Sequence, residues 1–218
     1  MTWLGEGGRT RCVPDVLRWP LVVLAASGFV IAVAIGALFS SGRPPSGLDA
    51  WTVRRDAATG ATRNVSLVLD YLGEPFGAAV LLVCAGSACL LGRRPLTALA
   101  LVVGTGATIL VTTAAKPLVG RTIHQGYLSF PSGHAGFVSA LALSLSVLVA
   151  ERRGLGRGRA TALVVGVTVA AAAAMGWAEV VLNAHYPTDI LGGFATALAV
   201  ASVSLLVVDG VAQSVIGA

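Results

Sequence analysis

The chain has 218 residues, 56% of them hydrophobic and 11% charged, with a mean hydropathy of +0.83 and a formal net charge of +5. Soluble domains carry about 25% charged residues, so this composition excludes a soluble globule, and with it disorder, collagen and coiled coil. The basic balance, with a pI of about 9.7, would suit nucleic acid, but the placement of the charges argues for a membrane protein that binds none.

With histidine left aside, the uncharged stretches are 21–39, 75–92, 95–115, 122–150, 160–178 and 190–208. A helix crossing the hydrocarbon core needs about 20 apolar residues. The stretches lack the polar stripe at helical period that a buried helix of a soluble protein would show. They predict an all-α polytopic protein of six transmembrane helices, at about 20–40, 73–92, 95–115, 134–151, 160–179 and 188–208, forming one domain over 1–218. The first is too long for a signal-peptide core, and no small-x-small cleavage site follows it, so it is read as retained.

Residues 41–74 form the one long loop. Its mixed charged and apolar stretch 48–58 reads as an interfacial helix, with a lid over an outward-facing site as the sharper alternative. Six spans put both termini on one side. That side carries nine arginines and four carboxylates, among them the run Arg152 to Arg159, whereas the other carries six basic and six acidic residues. The excess of arginine marks the first side as cytoplasmic. Cys12, Cys84 and Cys89 make no framework in the outer loops, and no disulfide is expected.

The three histidines, His124, His134 and His185, all fall on the outer side, as does Lys116, the one lysine among fifteen basic residues. Ser132 and Gly133 open the fourth span: Ser132 suits an N-cap, and Gly133 admits close approach to the backbone. A helix N-terminus offers free N–H groups and the positive end of a dipole to an anion. Lys116 and Arg121 add two charges just upstream. An ordinary turn would explain Pro-Ser-Gly alone, but less well two cations and a histidine beside it. In His185-Tyr-Pro-Thr-Asp189, Pro187 suits a first helical turn, and Asp189 lies one turn from His185. There it can orient the imidazole and leave the other nitrogen free to attack. Two histidines beside an anion cradle suit phosphoryl transfer, one as nucleophile and one as acid. A metal site from His124, His134, His185, Glu179 and Asp189 lacks tight ligand spacing, so neither metal nor cofactor is expected.

Lys116 with Arg121, then Pro131-Ser132-Gly133-His134, then His185 to Asp189 resemble the three motifs of the type 2 phosphatidic acid phosphatase superfamily, over five of the six spans from about residue 61. The two histidines are 51 positions apart, within that family's range. The resemblance implies a six-helix membrane core and a metal-independent phosphatase acting on the phosphomonoester or diphosphate of a lipid, of polyprenyl or phospholipid type. It implies His185 as the nucleophile that becomes phosphohistidine, Asp189 as its orienting partner and His134 as general acid. Lys116, Ser132 and Gly133 would hold phosphate oxygens. Two departures stand out. Ile123 and His124 occupy the Arg-Pro positions of the first motif, so Arg121, two residues early, is expected to serve instead. Ala178 and Glu179 occupy the Ser-Arg positions of the third. Glu179 would repel phosphate unless paired or protonated; pairing with Arg121, or reading a sugar or amine of the substrate, are its alternatives. A lipid-phosphate binder or transporter with little hydrolysis is the other reading, supported by the missing arginines.

Overall fold

The computed structural model describes residues 11–40, 45–53, 58–124 and 126–216. Eight helices appear among them: α1 (Asp15–Phe39), α2 (Gly47–Val53), α3 (Gly60–Tyr71), α4 (Pro75–Leu91), α5 (Pro95–Val119), α6 (Gly133–Arg152), α7 (Arg157–Val181) and α8 (Pro187–Ile216). Two short strands, β1 (Thr122–Ile123) and β2 (Tyr127–Leu128), pair antiparallel between α5 and α6.

Helices α1, α5, α6, α7 and α8 are long and apolar enough to cross a membrane. The sixth span is a bent pair. α3 and α4 qualify together, with a 62° bend at the intervening break. The expected span 73–92 is therefore the second limb of a kinked element, and α3 is a helix within what reads as loop. Pro75 explains the break. It disfavours helical backbone at Glu74 and starts α4 in the first-turn position that needs no N–H. The other spans run past the uncharged stretches by up to two turns. Lys116, Arg157, Arg159 and Asp209 are helical, because a helix can continue beyond the hydrocarbon core into water.

Lipid offers helices no hydrophobic reason to associate, so membrane interfaces favour small residues that allow close backbone contact. α5 buries Thr97, Leu101, Gly104, Thr105, Thr108 and Thr112 along one stripe, the i, i+4, i+7 pattern of a single face. Its opposite face exposes Leu99, Val102 and Leu110. The buried hydroxyls of Thr105, Thr108 and Thr112 donate to carbonyls one turn back, which satisfies them without a partner helix. α8 packs Ala195, Ala197 and Ala201 inward. Gly193 brings it against α6 so closely that a Cβ would lie 2.2 Å from the Ser132 carbonyl oxygen.

The two ends of the bundle differ. At one, the N–H groups of Cys12 and Val13 donate to Asp209 Oδ1, Arg18 pairs with Asp209 Oδ2, and Arg94 pairs with Glu151 at 2.7 Å. At the other lie α2, the β1–β2 pair and the first turns of α6 and α8, and there the motif residues converge.

The short helix α2 is inside-out. Asp49 and Thr52 are buried while Leu48 and Trp51 are exposed. Its polar face meets protein and its apolar face looks outward, within the stretch 48–58 expected as an interfacial helix. Residues 54–57 of that stretch lie outside the described residues.

Candidate active site

Ser132 caps α6 as its sequence predicts. Its Oγ accepts from the Ala135 N–H at 3.1 Å, and its own N–H donates to the Asp189 carbonyl at 3.0 Å. The first turn of α8 closes in the reverse sense, with the N–H of Tyr186, just before the helix, donating to Asp189 Oδ2 at 3.1 Å. The Ser132–Asp189 bond ties the two helix N-termini together, and His134 and His185 both come to the same Glu179 oxygen.

Every nitrogen of the two imidazoles faces a carboxylate. His185 Nδ1 stands 3.6 Å from Asp189 Oδ2, and His185 Nε2 stands 3.6 Å from Glu179 Oε1. His134 Nδ1 is 3.6 Å from the same Glu179 oxygen, and its Nε2 lies 3.8 Å from Asp70 and 3.7 Å from Glu74. These are ion-pair distances, longer than hydrogen bonds. Glu179 is fully buried, and its two oxygens lie 2.8 and 3.1 Å from Ser132 Oγ. Asp70 and Glu74 come from the α3–α4 bend. Gly73 there abuts the His134 ring, where a Cβ would lie 2.2 Å from Cδ2. Asp70, Glu74 and His134 offer three potential ligand atoms within 4.8 Å of one another. The five-residue metal set weighed from the sequence does not assemble, because His124 is elsewhere.

Arg121 does not pair with Glu179, and its surroundings are not those of a phosphate ligand. It is buried. Its Nη1 donates to Asp189 Oδ1 and Thr188 Oγ1, each at 2.6 Å, and its Nη2 donates to Asp49 Oδ2 at 2.8 Å. Its guanidinium carbon lies 3.8 Å from the Phe39 ring centre and 4.5 Å from that of Tyr186. A planar cation clamped by two carboxylates and two rings is a brace for Asp189. Asp49 completes it, accepting from Thr188 and Ser46. Burial pushes the Asp49 carboxyl up, but hydrogen bonds from Ser46, Arg121 and Thr188 outweigh it and hold the group below its ordinary value.

His124 is likewise apart. It has a left-handed backbone, and its Nε2 lies 2.7 Å from the Asn183 carbonyl oxygen, linking the β1–β2 pair to the α7–α8 turn.

A cavity of about 530 Å³ opens beside the histidines. Gly133, His134, His185 and Lys116 line its polar end, and Ala78, Leu82, Ile109 and Phe137 line its apolar wall between α4, α5 and α6. Gly133 leaves its backbone open, with only Thr112 Oγ1 within 4 Å of a Cβ built there. Among the described lining residues, Lys116 is the one Lys or Arg side chain. A second groove, of about 410 Å³ between α1, α5 and α8, is lined by no titratable side chain, so the chemistry belongs to the first. The site can hold an amphiphile, its tail on the apolar wall and an anionic head at Lys116 and the α6 N-terminus.

Sequence reasoning did not find Asp49, Asp70 or Glu74. Asp49 lies 72 and 139 positions from its partners Arg121 and Thr188, with no local motif around it.

Residues 97–211 match the family model described as "PAP2 superfamily". The matched region holds the motif residues Lys116 to Asp189 but not Asp49, Asp70 or Glu74. No curated protein matches the chain. A solved structure from Bacillus subtilis, described as its first transmembrane PAP2-type phosphatidylglycerolphosphate phosphatase, is similar at a TM-score of 0.67 and 20% identity. The likeness covers 88% of this chain and 96% of that one, and at this identity it is one of fold.

Proposed function

This chain belongs to the PAP2 superfamily, a multi-pass membrane phosphatase fold, and from that premise we propose that it hydrolyses the phosphomonoester or diphosphate of a lipid through a phosphohistidine at the extracytoplasmic face. The observation that carries the reading is the shared cavity. Two histidines, Lys116 and an open helix N-terminus line one end of it, and a lipid-suited wall lines the other.

In this reading His185 Nε2 attacks phosphorus, forming a P–N bond as the P–O bond to the leaving group breaks. Asp189, held by Arg121 and Asp49, fixes the ring through Nδ1. His134 gives its proton to the departing lipid oxygen. Water then attacks the phosphohistidine, His134 takes its proton, and the P–N bond breaks to release phosphate. Lys116, the backbone of Gly133 and the α6 dipole hold the phosphoryl oxygens. The arginine excess on the opposite side supports an outward-facing site with both termini cytoplasmic.

Lipid headgroups meet a site at helix ends while their tails stay in the bilayer. Polyprenyl phosphates and diphosphates, phosphatidic acid, phosphatidylglycerophosphate and phosphorylated polyprenyl-linked sugars all fit that geometry. Phosphate release by purified protein from a panel of these lipids tests the reading, with acid-labile, base-stable labelling of His185 as the expected intermediate. The buried carboxylate between the histidines favours a second reading, a lipid-phosphate binder or transporter on the same scaffold. Lipid bound with no phosphate released across the panel would establish it.

A further inference from the structure

Three contacts expected of a substrate phosphoryl group are those with Ser132, His134 and His185, and Glu179 occupies all three. Its oxygens lie 2.8 and 3.1 Å from Ser132 Oγ, and Oε1 stands 3.6 Å from both His134 Nδ1 and His185 Nε2. Ser132 also caps α6, so one hydroxyl accepts from the helix and donates to the carboxylate. Neither Glu179 nor Ser132 lines the cavity, although Gly133, His134 and His185 do. The carboxylate thus stands behind the polar wall and closes Ser132 off from it.

The attacking nitrogen and phosphorus must come to about 3–3.5 Å before a bond forms. Glu179 Oε1 already stands close to that distance from His185 Nε2. A phosphoryl group bringing its oxygens to Ser132 and its phosphorus to His185 Nε2 meets a carboxylate at the same atoms. Like charges at such range in a poorly hydrated site repel strongly.

We infer that the Glu179 carboxylate is an internal anion of the phosphoryl subsite, which a phosphorylated substrate displaces to reach Ser132 and His185. The inference rests on the assignment of His185 to phosphorus in the proposed function and of Ser132 to a phosphate oxygen by the family resemblance. It adds a selectivity: a dianionic phosphomonoester or a diphosphate competes with a carboxylate for these donors better than a singly charged phosphodiester does. It also differs from the roles weighed for Glu179 from sequence. A fully buried side chain behind the wall reads no sugar or amine, and Arg121 is engaged elsewhere.

Orthovanadate titrated calorimetrically into detergent-purified wild type, Glu179→Gln and Glu179→Ala tests this without requiring turnover. Gln keeps the volume and a partner for Ser132 while removing the charge, and Ala removes the competitor altogether. Both variants are expected to bind vanadate about tenfold tighter or more, a gain of about 1.4 kcal/mol per decade. Variants that melt like wild type yet bind vanadate no more tightly overturn the inference. Tighter vanadate binding with no lipid phosphate hydrolysed by any form upholds it and removes the hydrolytic reading. Hydrolysis by wild type with vanadate affinity unchanged in both variants does the reverse, and leaves Glu179 as a residue that only positions the histidines.

Discussion

Arg121 Nη1 donates to Asp189 Oδ1 at 2.6 Å, and neither side chain is more than 3% exposed. Breaking a buried pair from one side leaves a charge uncompensated, which costs about 3–5 kcal/mol. Here Arg121→Ala would strand two carboxylates, Asp189 and Asp49. We expect it to lower the melting temperature in detergent sharply and to abolish turnover. Arg121→Lys should recover part of the stability, since it restores charge without the fork that reaches both carboxylates. A stable, active Arg121→Ala would refute the brace.

Asp49 gives a pH signature. Its carboxyl is held below the ordinary value in the folded chain, so its stabilisation is complete above the unfolded carboxylate value of about 3.9 and is lost as pH falls through the lower folded value. Asp49→Asn should therefore be less stable than wild type at pH 7, and the gap should shrink in acid as wild-type Asp49 protonates. Melting curves from pH 7 to 3 measure it. A gap that does not change with pH would show that the contribution is packing, not charge.

The two histidines should separate by leaving group. His185→Ala is expected to remove turnover on every substrate, because the nucleophile is always needed. His134→Ala should slow mainly lipids whose leaving oxygen needs a proton, by about 10²–10⁴-fold. A His185→Ala variant as active as wild type on any hydrolysed lipid phosphate would dismiss the phosphohistidine.

Lys116→Gln is expected to weaken phosphate binding and raise KM, as Lys116 is the one Lys or Arg side chain among the described residues lining the cavity. A charge-assisted contact contributes about 1.5–3 kcal/mol, or roughly ten- to a hundredfold. Unchanged inhibition by inorganic phosphate would place the cation elsewhere.

Topology can be read by thiol labelling. A cysteine at position 124 should react with an impermeant maleimide in intact cells, and labelling only after permeabilisation would reverse the orientation. Native Cys12 should stay silent at neutral pH. It is buried, and burial followed by the charge of Asp209 pushes its thiol up to about 12.

The helices were legible because membrane spans are set by runs without charge, and the motif end because Ser132, Pro187 and Asp189 carry local rules of helix starts. Arg121 was legible as a functional cation, but its target was not. Asp49 sits on a seven-residue helix whose buried polar face runs against the usual pattern, and no spacing announces a contact 139 positions away. The α3–α4 bend escaped for a related reason. Asp70 and Glu74 look like loop charges until the kink turns them toward His134. Glu179 stood out as a departure, and its contact with Ser132 and both histidines needed three elements placed in space.

The Asp49–Arg121–Asp189 chain also bears on how the protein is made. Its members leave the ribosome in that order, with the central cation in the middle and its second carboxylate on the last helix. Until α8 is in place, Arg121 has one acidic partner and a half-built pocket, and Asp189 is not there to orient His185. The site is therefore completed only in a late step, and a chain cut short before α8 would leave Arg121 with one of its two carboxylates.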